Sequence, residues 1–193
     1  MVTWAWWETE LKLRRPPYPG VIGTAPYFFV HAGHRETAIE HAIEVIRADA
    51  ARTIGNTNDD PVMTALEEPI GPWVIESLIQ GAWMREYHEW EKATKSYFEG
   101  QHQRNGSSKP NWKERAASVT GASSHVDRVR AQLTQFRAAV PTVALDAIDG
   151  QRRLINSAKH EDEYFATEDD YRTLVKAIAD FWDALASQEE FTV

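Results

Sequence analysis

Three side chains near the end of the sequence have types and spacing suited to phosphodiester chemistry. Arg153, Asn156 and His160 lie in a helix-forming stretch that precedes the last amphipathic segment. Each residue of an α-helix turns by about 100°, so Arg153 and His160 project about 20° apart, and Asn156 lies on the same stripe. A guanidinium can hold phosphate oxygens and offset transition-state charge, and an imidazole can exchange a proton near neutral pH. This chemistry requires no metal ion.

A purely structural interpretation of the same residues stays open. His160 is expected at a helix C-terminus, where the helix dipole favours a cationic imidazole. Arg153 and Lys159 could pair at the surface with the acidic residues 161–163. Under this interpretation the stripe only stabilises a helix end.

An arginine followed by a histidine after four to six residues occurs twice in the chain. Besides Arg153 and His160, the spacing relates Arg35 to His41. Six positions leave that second pair about 120° apart on a helix. The shared face and the position before the last helix therefore favour Arg153 and His160.

The sequence does not predict a metal or cofactor site. It contains no cysteine, which excludes disulfides and thiolate ligands and fits a reducing compartment. A di-metal bundle would need two Glu-x-x-His pairs, and only Glu99 and His102 have that spacing, at an expected helix end. His31 and His34 lie near Glu36 but lack a partner set. A metal-binding bundle enzyme is thus the weakest of three interpretations.

Charge is distributed unevenly along the chain. The net charge is −8, yet residues 101–160 hold ten Lys/Arg against four Asp/Glu, a local charge of +6. A basic segment of this kind could hold a phosphate, or its helices could neutralise acidic neighbours.

The elements that must position these residues are helices. Apolar residues recur at helical spacing in five stretches: from about His34 to residue 54, from Pro72 to Phe98, over 112–139, from Pro141 to His160, and after Thr167. The third stretch is expected to bend near Gly121, and Thr167 is expected to cap the fifth. Residues 1–33 are rich in Trp and Pro and are expected to pack irregularly on the bundle or on a partner. We predict an all-α antiparallel bundle of four to five helices over residues 34–193.

Aromatic residues crowd the second predicted helix. They are more simply explained as core than as a platform for stacked bases. No signal peptide and no apolar run long enough for a membrane span are present, so a cytoplasmic protein is expected.

The segment from Arg153 to His160, RLINSAKH, resembles the Arg-x(4–6)-His motif of the HEPN superfamily of α-helical ribonucleases and toxins. The motif's place before the last helix, the HEDEYF segment that follows, and REYHEWEKATKSYF in the second predicted helix are also similar to that family. The resemblance extends over about residues 34–187. It differs in one respect, because Leu154 stands where a polar residue often follows the arginine.

The resemblance implies a metal-independent endoribonuclease, a homodimer acting as a toxin or antiviral defence effector, with a possible neutralising antitoxin or defence-system partner. The ribose 2′-OH attacks the phosphorus and leaves a 2′,3′-cyclic phosphate. His160 is then the general acid/base, Arg153 stabilises the phosphorane, Asn156 orients one of them, and Arg152 and Lys159 bind RNA phosphates. The alternative function is a catalytically inactive helical bundle that binds a protein or RNA partner.

Overall fold

The computed structural model describes residues 25–54, 70–104, 124–160 and 164–188, and this part of the chain contains five α-helices and no strand. The all-α prediction is confirmed. The helices are α1 Ala25–Ile54, α2 Ile70–Arg104, α3 His125–Phe136, α4 Thr142–His160 and α5 Glu168–Ala186.

The first two helices are longer than the apolar periodicity predicts. Helix α1 begins at Ala25 rather than near His34, so the last part of the expected irregular segment is helical. Helix α2 continues past Phe98 to Arg104. The remainder of the Trp- and Pro-rich segment, residues 1–24, lies outside the described residues.

Helix α3 does not run through from Trp112, because it has a capped start at His125. Ser124 is extended, its hydroxyl accepts from the Asp127 N–H, and the Asp127 carboxylate accepts in return from the Ser124 N–H. The helix ends at Arg137, which adopts a left-handed conformation with φ 55°. The expected bend near Gly121 lies outside the described residues.

Helix α5 is the central packing element, in contact with α1, α2 and α4. Its apolar stripe meets the aromatic side chains of α2, which are buried as predicted for a core. The largest fully buried side chains include Trp83, Trp90, Phe98, Phe181 and Trp182. Edge-to-face contacts between Trp90 and Phe181 and between Tyr97 and Trp182 join α2 to α5.

A chain of polar contacts that runs from the core to the surface joins α2, α4 and α5. The Trp83 indole donates to Gln151 at 2.8 Å, and the Gln151 amide donates to Asp170 at 3.4 Å. Asp170 also accepts from the Thr167 hydroxyl at 2.7 Å and from the Tyr164 hydroxyl at 2.9 Å. The predicted capping box at Thr167 is confirmed, and its carboxylate also anchors the segment between α4 and α5.

The same contacts set how α4 lies against α5. Gln188, after the end of α5, exchanges hydrogen bonds with the backbone of Ala139, before the start of α4, so the two helices run antiparallel. Asp170 in the first turn of α5 contacts Gln151, nine residues before the end of α4. The last turns of α4 therefore extend beyond the start of α5, and this overhang carries the predicted site.

Candidate functional site

Helix α4 has one buried face and one polar face. Ile148, Ile155 and the partly buried Leu154 pack into the core, whereas Arg153 and Asn156 are exposed. The Arg153 side chain is 73% exposed. Leu154, the departure from the family motif, thus packs against the core, and helical geometry turns it about 100° away from Arg153.

His160 is the last residue of α4, and its side chain lies outside the described part of the structure. The predicted pairing of Arg153 with His160 therefore stays a prediction that rests on helical spacing. We use the term polar strip for the exposed α4 residues Arg153, Asn156 and Lys159 together with the half-buried Arg152.

One carboxylate organises both arginines of the polar strip. Asp149 accepts from Arg152 Nε at 2.8 Å on one oxygen and from an Arg153 terminal nitrogen at 2.8 Å on the other. Burial alone would raise the pKa of Asp149, but the hydrogen bonds and charges of Arg152 and Arg153 outweigh it, and the net pKa lies below the ordinary value. Two cations share one anion, so the trio keeps a net positive charge.

The expected ion pair of Arg153 with an acidic residue of 161–163 stays a prediction, because those three residues lie outside the described part of the chain. Within that part, Arg153 pairs with the carboxylate of Asp149, one turn earlier in its own helix. Because Arg153 is exposed and Asp149 also has Arg152 as a partner, this (i, i+4) contact adds only about 0.3–0.5 kcal/mol to the stability of the helix. The contact orients the guanidinium at little cost to its availability.

Lys159 connects the polar strip to helix α2. Its ammonium lies 3.1 Å from His88 Nε2, and His88 Nδ1 lies 3.1 Å from a Glu91 carboxylate oxygen. An ammonium can only donate, so Nε2 is the acceptor and the ring hydrogen is on Nδ1, from which it is donated to Glu91. Glu91, His88 and Lys159 thus form a polar relay across two helices.

The surroundings of the relay are buried on its α2 side. Burial raises the pKa of the adjacent Tyr87 phenol well above its ordinary value, and the nearby Glu91 carboxylate raises it further. Tyr87 also feels the charges of Arg152 and Asp149. The contact between Lys159 and His88 places the relay beside the polar strip, where α2 meets α4.

The spacing arguments did not predict His88, Glu91 and Asp149 as site residues. His88 and Glu91 are three residues apart and so share a helix face, and Asp149 precedes the two arginines by three and four residues. Both patterns could have indicated intrahelical pairs. Only the packing of α2 against α4 shows that the two sets are neighbours.

The two members of the lone Glu-x-x-His pair of the sequence have separate roles, because Glu99 pairs with Lys95 on its own helix and His102 lies in the core. His102 is 2% exposed, and its Nε2 lies 2.6 Å from the Gln132 side-chain oxygen of α3. In the described ranges, no three His, Cys, Asp or Glu side chains are grouped so that they could hold a metal ion. Nor does any described helix have the length and apolarity required to cross a membrane.

The chain matches no protein-family model, and neither a curated protein nor a solved structure matches it.

Proposed function

We propose that the protein is a metal-independent endoribonuclease of the HEPN type. The observation that carries this proposal is the exposed Arg153 and Asn156 at the overhanging end of α4, beside Arg152 and Lys159. With Asp149 as the shared counter-ion, this surface keeps a net positive charge and suits a phosphodiester.

In the proposed reaction the ribose 2′-oxygen bonds to phosphorus while the bond to the 5′-oxygen breaks. The products carry a 2′,3′-cyclic phosphate and a 5′-OH. Arg153 offsets the charge that builds up on the phosphorane, Asn156 orients the guanidinium or the imidazole, and His160 moves a proton as general acid/base. Arg152 and Lys159 hold neighbouring RNA phosphates.

The proposal extends to assembly and biological role. Two copies would bring their polar strips together across a two-fold axis, since Arg153 and Asn156 are exposed rather than packed in the chain's own core. A cytoplasmic toxin or antiviral defence effector with a neutralising partner protein fits such a nuclease.

The first test is incubation of purified protein with total RNA in the presence of EDTA, followed by analysis of the fragment ends. We expect 2′,3′-cyclic phosphates from the wild type, and a rate at least about 100-fold lower for His160→Ala and for Arg153→Gln. Arg172→Gln is the matched control, because Arg172 is exposed and pairs with a carboxylate four residues earlier, as Arg153 does. Cleavage that persists in His160→Ala, or that stops with EDTA, would contradict the proposal.

The second candidate function is a catalytically inactive helical bundle that binds a protein or RNA partner. The observation that favours it is the Asp149 ion pair, because it gives Arg153 a structural role within α4 without any substrate. Intact RNA after incubation with the wild type at high enzyme concentration would favour this function, and co-purification with RNA or with one protein would identify the partner class.

A further inference from the structure

His88 is a second imidazole beside the polar strip. It lies on α2, is 44% exposed at its side chain, and contacts Lys159, which follows Asn156 by three residues on α4. Transesterification of RNA needs one group that removes the 2′-OH proton and one that protonates the 5′-oxygen. The sequence motif supplies only one histidine in each chain, and packing of α2 against α4 brings in another.

The arrangement of His88 is that of a base held ready by a carboxylate. Glu91 accepts the Nδ1 hydrogen, which fixes both the ring orientation and the tautomer, and Nε2 carries the lone pair. Lys159 covers that lone pair at 3.1 Å. A phosphate bound at the polar strip would attract the Lys159 ammonium, and departure of the ammonium would uncover Nε2 for the substrate.

We propose that His88, held by Glu91 and covered by Lys159, is a further catalytic residue for phosphodiester cleavage. The inference rests on the proposed function. His88 Nε2 accepts the proton of the ribose 2′-OH as that oxygen bonds to phosphorus. The 5′-oxygen leaves with a proton from His160, and exchange with water resets both imidazoles.

The charged and titratable groups that face His88 come from both helices. On α2 these are Glu91 and the buried Tyr87 phenol; on α4 they are Lys159 and, near Tyr87, the ion-paired Arg152 and Asp149. Glu91 lies 3.1 Å from Nδ1, and Lys159 occupies the lone pair of Nε2 at 3.1 Å. Departure of Lys159 to a phosphate leaves that lone pair open to the substrate.

The kinetic test compares wild type with His88→Asn, Glu91→Gln and Lys159→Gln under the conditions of the EDTA assay. We expect His88→Asn to lower kcat about 100-fold with little change in KM, and to remove one limb of the pH–rate profile. Glu91→Gln should lower kcat by a smaller factor. Glu89→Gln is the matched control, since Glu89 lies on the same helix and pairs with Lys92. We expect this variant to cleave RNA at the rate of the wild type.

The second test does not depend on cleavage. Nitrogen NMR of the histidine rings, with the His88 signals assigned through His88→Asn, reports the Nδ1–H tautomer directly. Addition of inorganic phosphate should shift the His88 Nε2 signal in the wild type and much less in Lys159→Gln.

The outcomes separate the two proposals. Cleavage that needs His160 but is unchanged in His88→Asn keeps the proposed function and overturns the role of His88. A wild type that cleaves no RNA refutes the proposed function; the role of His88 is then decided by the titration, and a His88 signal that does not respond to phosphate overturns it. A His88 signal that responds to phosphate supports the proposal that phosphate draws Lys159 away and uncovers His88 as the base.

Discussion

Arg35 and Arg153 each precede a histidine at the same kind of spacing, yet their surroundings differ. Arg35 Nε lies 2.7 Å and 3.0 Å from the two carboxylate oxygens of Glu86 on another helix, and Glu86 is only 5% exposed at its side chain. Arg153 contacts Asp149 in its own helix and is 73% exposed. The first arginine is committed to holding α1 on α2, and the second is available to a ligand.

The difference follows from the exposure of each arginine and from the partners of its carboxylate. Glu86 is buried and is held by Arg35, so removal of Arg35 would leave a buried charge unpaired. Asp149 is only 11% exposed, but removal of the 73% exposed Arg153 leaves it paired with Arg152. The two arginines thus share the same spacing to a histidine. Only their burial and their ion-pair partners distinguish the structural arginine from the candidate functional one.

The largest effect is expected from Arg35→Gln. This change strands the Glu86 carboxylate and should lower the free energy of unfolding by about 3 kcal/mol. Urea unfolding followed by circular dichroism measures it. Arg47→Gln is the control, since Arg47 also joins two helices through a carboxylate, Glu168, but is 54% exposed. If Arg35→Gln lost as little stability as Arg47→Gln does, Arg35 would not be the structural residue that distinguishes it from Arg153.

Acidification should weaken the Asp149 ion pairs. Because the pKa of Asp149 is lowered in the folded state, its contribution to stability is present above the unfolded pKa of about 3.9 and is lost as pH falls through the folded value. Asp149→Asn should therefore destabilise the protein at pH 7 and differ progressively less from the wild type below about pH 4. Asp180→Asn removes an exposed carboxylate and controls for net charge. A constant difference between wild type and Asp149→Asn across this range would contradict the role given to the arginines.

The smallest stability effect is expected from Arg153→Gln. Arg153 is 73% exposed and Asp149 keeps Arg152 as its partner, so the free energy of unfolding should change by no more than about 0.5 kcal/mol, as for Arg172→Gln. Thermal and urea unfolding of both variants checks this. A loss above about 1 kcal/mol for Arg153→Gln alone would mean that Arg153 is structural, like Arg35.

Several features of the fold are local and could be predicted. The Thr167 capping box and the apolar stripe of α5 predicted a helix where one begins, and the aromatic stripe of α2 predicted a buried face. The start of α3 could have been predicted as well, because Ser124 and Asp127 have the spacing of a capping box. The early start of α1 also has a local signal, because Pro26 lies in its first turn, where proline is favoured.

The sequence by itself determined the helical class, the polar face of α4 and the common stripe of Arg153, Asn156 and His160, because each follows from the period of one helix. Only the tertiary structure decided that Arg35 is held by Glu86 and that Lys159 meets His88. These contacts join residues far apart in sequence, so their geometry depends on how the helices pack. Chemistry that depends on one helix can be predicted from spacing, whereas chemistry that depends on two requires their packing.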